Sequence, residues 1–209
     1  MSLIRNWCAP YGVIADVGAG HGRLSIALAE RQHRVYATER TVPGYAELIS
    51  RVMGHPGIMA LKGDGLQPLA PYKVDAVVVA GMGPGPIRHI LDPRHEGPFI
   101  IQPMQGILTV HRHLAEDGWY IERAQLLAQH GRLYATWLVR PGSASASIKA
   151  PDIPGEFVED PLFSLLKTQR VRELQKRLAA TGATPNRQRE VWTEEIALWQ
   201  SAWPQLRRN

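Results

Sequence analysis

A single cysteine, Cys8, is the whole thiol complement of this 209-residue chain. It excludes an internal disulfide and argues against a metal cluster built on cysteine. Cys8 itself reads as a partly buried helix residue rather than a nucleophile. Long apolar runs are missing too: no stretch approaches the roughly 20 apolar residues needed to span a bilayer. The first twelve residues contain Arg5, Asn6 and Pro10, so they lack the charged-then-apolar pattern of a secretion signal. Internal repeats and low-complexity tracts are absent. The expectation is a cytoplasmic protein with no membrane contact and no bound metal. Charge of one sign is only mildly in excess, at +5 net. That excess sits mainly in residues 1–150, where 15 Lys and Arg face 11 Asp and Glu. A basic surface favours a polyanionic partner through phosphate contacts and counterion release. At this size, charge alone leaves nucleic-acid binding at even odds.

What is present is alternation. The length suits one α/β domain with an appendage. Apolar runs at about Val13–Val17, Val35–Thr38, Ile58–Leu61, Asp75–Ala80 and Phe99–Gln102 read as strands. Helical patterns follow several of them: Leu24, Ile26, Ala27 and Leu28; Tyr45–Met53 with Leu48 and Ile49 inward; Ile87, Ile90 and Leu91; and Ile107–Leu114, ended by Gly118. Tyr120–Leu127 and Leu133–Val139 alternate around Gly131 with no helix between them. The fold class is therefore α/β, a doubly wound parallel sheet closed by an antiparallel strand pair at one edge. Pro141–Pro154 is rich in Gly, Ser, Ala and Pro and reads as a linker. Beyond it, Leu162, Leu166, Val171, Leu174 and Leu178 share one helical face; Trp192, Ile196, Trp199 and Trp203 share another. Thr181–Asn186 makes the turn of a small helical hairpin, whose tryptophans read as core anchors. The expected division is 1–145 for the sheet domain and 146–209 for linker and hairpin.

The first strand runs into Asp16-Val-Gly-Ala-Gly-His-Gly22. Three glycines at alternate positions let the chain turn sharply and approach a ligand without Cβ interference. A dinucleotide fingerprint would place its third glycine at Arg23, which disfavours a nicotinamide dehydrogenase. The spacing seen resembles the D-x-G-x-G-x-G loop of methyltransferases that use S-adenosylmethionine (SAM). Ligands bind beyond the carboxyl ends of strands in such sheets, so the residues there belong together. Strand one brings Asp16, Gly18, Gly20 and His21. Strand two ends at Glu39, about 20 residues past the loop, where an acid accepts ribose hydroxyls, with Arg40 beside it. Asp64 and Gly65 follow strand three; the Asp64 carboxylate suits an adenine amino group, or else a turn cap. Strand four delivers Ala80, Gly81, Met82 and Gly83 to the sulfonium end.

The run Val77-Val-Val-Ala-Gly-Met-Gly-Pro-Gly-Pro-Ile-Arg-His-Ile-Leu91 resembles the signature of bacterial tRNA adenine-22 N1-methyltransferases. Gly63-Asp-Gly-Leu66, Gln102-Pro103 and Gly131-x-x-Tyr134 are similar to further elements of that family in the same order, so the resemblance spans about Gly12 to Val139. It implies a Rossmann-like fold, SAM as cofactor, tRNA as partner, and methyl transfer to adenine N1, in a monomer or weak homodimer. The terminal hairpin matches the family's small coiled-coil domain in kind. Two departures stand out: Gly20 occupies the place of the family's second loop Asp, and the family's Q-P-N reads Gln102-Pro-Met104. His21 then remains as the polar group of the loop, either touching substrate or cofactor or bonding backbone. Gln102 either holds the adenine edge or caps its strand. Arg88, His111 and Arg112 are the residues expected to meet phosphates. The alternatives are a SAM enzyme acting on another RNA position or a small molecule, and a catalytically eroded protein that binds SAM or RNA.

Overall fold

The computed structural model describes residues 2–129, 131–142, 155–157, 159–181 and 187–201. Helix α1 (Ser2–Cys8) leads into β1 (Val13–Val17), α2 (Arg23–Ala29), β2 (Arg34–Glu39), α3 (Val42–Val52) and β3 (Ile58–Lys62). Then come β4 (Ala76–Ala80), α4 (Pro84–Ile90), β5 (Phe99–Gln102), α5 (Ile107–Glu116), β6 (Trp119–Gln129) and β7 (Arg132–Pro141). Helices α6 (Phe163–Ala180) and α7 (Arg187–Ser201) complete the described chain. Seven strands form one sheet in the order β3-β2-β1-β4-β5-β7-β6. The five from β3 to β5 are parallel; β7 pairs antiparallel with β5 and with β6. This is the doubly wound sheet with an antiparallel closing pair that the alternation predicts.

Local chemistry explains the centre. The Ala-Val-Val-Val stretch of β4 is fully buried, as a strand covered on both faces must be, and β-branched side chains pack well there. Asp75, just before β4, fixes its alignment with β1. Its Oδ2 accepts the backbone N–H of Gly12 at 2.9 Å and of Val13 at 2.7 Å, while Asp75 N donates to Val13 O at 2.8 Å. Cys8 is fully buried in α1, and burial pushes its thiol up to about 12. It therefore stays protonated at neutral pH, and its role is packing.

Two packing expectations change. Ile49 is 38% exposed while Leu48 and Val52 are buried, because α3 begins at Val42 and its phase turns Ile49 outward. The buried face of α6 includes Phe163 alongside Leu166 and Leu174. The linker core 143–154, most of the 181–186 turn, and Trp203 lie outside the described residues. The C-terminal helices share the core of the sheet: Phe157, Phe163, Leu166 and Trp199 join the cluster that contains Leu126, Ala135 and Trp137. Trp137 and Phe157 rings meet at 5.3 Å, Phe163 and Trp199 at 6.1 Å. A bidentate pair, Arg170 to Glu195 at 2.8 and 3.0 Å, joins α6 to α7.

Because the helices share this core, Trp199→Ala is expected to cost about 3–5 kcal/mol and to lower the midpoint of the whole chain in one cooperative transition. Denaturant unfolding followed by circular dichroism and by a sheet-domain probe checks this. An unchanged midpoint for the sheet would make the hairpin an independent unit.

Candidate functional site

The strand order reverses at β1 and β4, and the loops that leave their carboxyl ends face one another there. The first loop needs glycine for separate reasons. Gly18 has φ +72°, and a Cβ on it would lie 2.0 Å from the Met82 methyl. Gly22 has φ +69°, and a Cβ there would press Val52 at 2.9 Å. Both are left-handed positions that side chains rarely adopt. Gly18 N and Ala19 N each donate to Thr38 O at 2.9 Å, which pins the loop to the end of β2.

Asp16 is buried beneath this loop. Its Oδ2 accepts the Ser25 hydroxyl at 2.6 Å, tying strand β1 to helix α2. Burial pushes its carboxyl up to about 6, against hydrogen bonds from Ser25 that act the other way. Asp16 therefore braces the loop and does not line the cavity above it.

That cavity measures about 490 Å3, within the range of about 300–1,000 Å3 usual for small-molecule sites. Gly18, Glu39, Arg40, Asp64, Gly65, Met82 and Gly83 all line it, so seven expected residues from four strand ends converge. Glu39 is held in place: its Oε1 accepts the Thr41 N–H at 3.0 Å and the Thr41 hydroxyl at 2.9 Å. Thr41 in turn caps α3 by accepting the Gly44 N–H at 3.2 Å. The second Glu39 oxygen has no protein partner among the described residues. Asp64 sits opposite, with His89 Nε2 3.9 Å from its Oδ2. Thr38, Thr41 and His89 also line the cavity and escaped the sequence reading. Thr41 carried a signal, since Thr-Val-Pro after a strand is a helix start. His89 carried none.

Other expected residues stand elsewhere. Gly20, Ala80 and Gly81 support the loops without lining the cavity; Gly81 N donates to Gln102 O at 3.0 Å. His21 points away, its Nε2 3.3 Å from Glu47 on α3. Gln102 spends its amide nitrogen on the Thr136 hydroxyl at 2.7 Å, cross-linking β5 to β7. Neither residue lies at the cavity. Arg88 forms two bonds to Asp117, at 2.8 and 2.6 Å, and approaches Glu116 at 3.1 Å. Its charge is met by two acids at the surface. The expectation for His111 is corrected: it is 2% exposed, with Nε2 3.2 Å from Glu156, whose other oxygen takes the Trp137 indole N–H at 2.8 Å. That cluster packs the C-terminal segment onto α5 and β7. Arg112 is exposed, has no acidic partner among the described residues, and lines a larger groove of about 970 Å3 bounded by α5, α6 and α7.

Asp16 yields a pH prediction. Its folded value lies above its ordinary value of about 3.8, so the folded state holds the proton more tightly between pH 4 and 6. Its contribution to stability is present below about pH 4 and is lost as pH rises to about 6. Asp16→Asn retains an acceptor for Ser25 and removes this slope. It is expected to gain up to about 3 kcal/mol over the native chain at pH 8 and little at pH 4. Thermal melts across that range check this; an Asn variant equally destabilised at both pH values contradicts it.

Residues 1–136 match the family described as Methyltransferase domain. No curated protein matches the chain. Among solved structures, the chain is similar to the Bacillus subtilis m1A22 tRNA methyltransferase TrmK, with TM-score 0.81 and 21% identity over 97% of this chain and 96% of that one. It is similar to Mycoplasma capricolum TrmK, "M. capricolum TrmK in complex with the natural cofactor product S-adenosyl-homocysteine", at TM-score 0.77 and 18% identity over 97% of both chains. It is also similar to a Streptococcus agalactiae protein of the NADB-Rossmann superfamily, at TM-score 0.82 and 19% identity over 97% and 95%. At these identities the likeness is one of fold, and it takes in the C-terminal helices as well as the sheet. With the family match covering most of the sheet and the cavity lying at its switch point, this chain belongs to the methyltransferase-domain family.

Proposed function

We propose that this protein is a SAM-dependent methyltransferase that modifies adenine N1 in tRNA, at position 22 as in the TrmK structures it resembles, acting in the cytoplasm as a monomer or weak homodimer. The observation that carries the cofactor reading is the pinned Glu39. A carboxylate with one oxygen fixed by Thr41 and the other without a partner among the described residues is a preformed acceptor for a ribose diol. Asp64, Gly65, Met82 and Gly83 complete a cavity with polar groups at one end and a thioether and bare backbone at the other. This donor set fits a nucleoside joined to a charged sulfur chain.

When bound, SAM supplies an electrophilic methyl group. The protein's work is to position and to exclude water. Glu39 and Asp64 hold the nucleoside; the Gly18 backbone lets it approach the sheet. A paired or stacked target base must be flipped out to reach the site. The groove beside Arg112 runs from Pro84 to the α6–α7 pair, and its size suits a nucleic-acid strand better than a small acceptor. The leaving thioether is neutral, so no strong acid is required at the site; attack leaves a cationic adenine, which a nearby carboxylate or carbonyl would steady, and Gly20 supplies none.

Glu39→Ala is expected to weaken SAM binding at least about tenfold, the loss of hydrogen bonds to a charged acceptor. Titration calorimetry reads this, and unchanged affinity removes Glu39 from the ribose role. Binding of unmodified tRNA should weaken about tenfold or more between 50 and 200 mM salt. A flat response in a filter-binding series would rule out phosphate contacts as the main attachment.

A further inference from the structure

We propose that Gln105 is the residue that grips the accepting adenine, through its N6 and N7 edge, at the junction between cavity and groove. This deepens the reading above and rests on it. The segment after β5 runs alongside the segment after β4 and is fastened to it. Gly81 N donates to Gln102 O at 3.0 Å, and Met104 N donates to Met82 O at 2.9 Å. Gly106 closes the other side: its φ is +70°, and a Cβ there would lie 2.6 Å from the Pro84 ring. The backbone on both sides of Gln105 is thereby fixed against Met82–Pro84. Its own side chain is exposed and makes no hydrogen bond among the described residues. The Gln105 Nε2 lies 3.9 Å from the position of a Cβ on Gly83.

Gly83 lines the cofactor cavity, while Pro84, Met104, Gln105 and Gly106 line the groove. Of these five junction residues, Gln105 alone carries a hydrogen-bonding side chain. Of the two polar residues expected at the site, Gln102 gives its amide nitrogen to Thr136 and His21 faces Glu47.

The chemistry asks for such a group. In the transfer, the N1 lone pair forms the new N–CH3 bond. The S–CH3 bonding pair leaves on sulfur as a neutral thioether, and positive charge passes to the adenine ring. A residue that reads adenine must therefore leave N1 free. Glutamine does so, since its carbonyl accepts from N6–H and its amide donates to N7. Guanine offers acceptors at both places, so the same amide satisfies only one. As charge builds on the ring, N6–H becomes a better donor and the carbonyl contact strengthens, which favours the transition state over the ground state. Gln105 thus supplies the acceptor that Gly20 does not.

The test compares the native chain with Gln105→Met, which keeps length and loses both hydrogen bonds. Methyl transfer is measured on an unmodified tRNA transcript and on one made with 7-deazaadenosine in place of adenosine. SAM affinity is followed by calorimetry. The expected result is a fall in kcat/KM of about 5- to 150-fold for Gln105→Met, the range of one bidentate base contact, with SAM affinity within twofold. The 7-deaza transcript is expected to slow the native enzyme and to make little further difference to Gln105→Met. Transfer by Gln105→Met within twofold of native overturns the proposal while leaving the methyltransferase reading intact. So does an equal 7-deaza penalty in both proteins, or a loss confined to SAM affinity. A native chain that transfers no methyl to tRNA overturns the reading and the proposal together.

Discussion

β1 is bonded on one side to β2 and on the other to β4, so the chain winds outward to β3 and then returns to start again beside its own first strand. This reversal opens a crevice at the carboxyl ends of β1 and β4. Gly18 and Met82 face each other across it. Two aspartates, Asp16 buried and Asp75 exposed, hold the arrangement from below: Asp75 ties the starts of β1 and β4, and Asp16 ties the end of β1 to α2 through Ser25. Neither touches the cavity, yet both decide where its walls stand. Asp16 sits in surroundings that disfavour its charge, so the brace is made at a cost in stability.

The site divides by chemistry. The cavity presents two carboxylates, Glu39 and Asp64, which suit hydroxyls and amino groups, with Arg40 and His89 also on its wall. The groove mixes both signs: Glu173, Glu194 and Glu195 line it with Arg112, Arg170 and Arg177, and Arg112 stands without an acidic partner among the described residues. Two arginines of α6 are differently disposed: Arg170 reaches across to Glu195 of α7 and also meets Glu173, and Arg177 pairs with Glu173 within α6. Gly83 lines the cavity and Gln105 the groove, so the two mark the boundary between them.

Much of this was legible in the chain. Glycines at alternate positions, an acid about 20 residues later and two further loop signatures named four strand ends, and seven of the residues read from them line one cavity. Strand assignments followed from β-branched runs, whose burial on both faces leaves little freedom. Side-chain partners were the illegible part. Arg88, His111, His21 and Gln102 stand on the elements the pattern gives them, but their side chains meet Asp117, Glu156, Glu47 and Thr136, partners 26 to 45 positions away, and such pairings leave no periodic trace. Nothing in its spacing marks Gln105; its place comes from the backbone bonds Gly81 N to Gln102 O and Met104 N to Met82 O.

The central claim is that the cavity and groove cooperate to methylate adenine N1 in tRNA. The most direct test is incubation of the purified chain with isotope-labelled SAM and unmodified tRNA, followed by nucleoside digestion and mass analysis. Label in 1-methyladenosine is the expected result. Label in a different nucleoside, or SAM and tRNA binding with no transferred methyl, would contradict it.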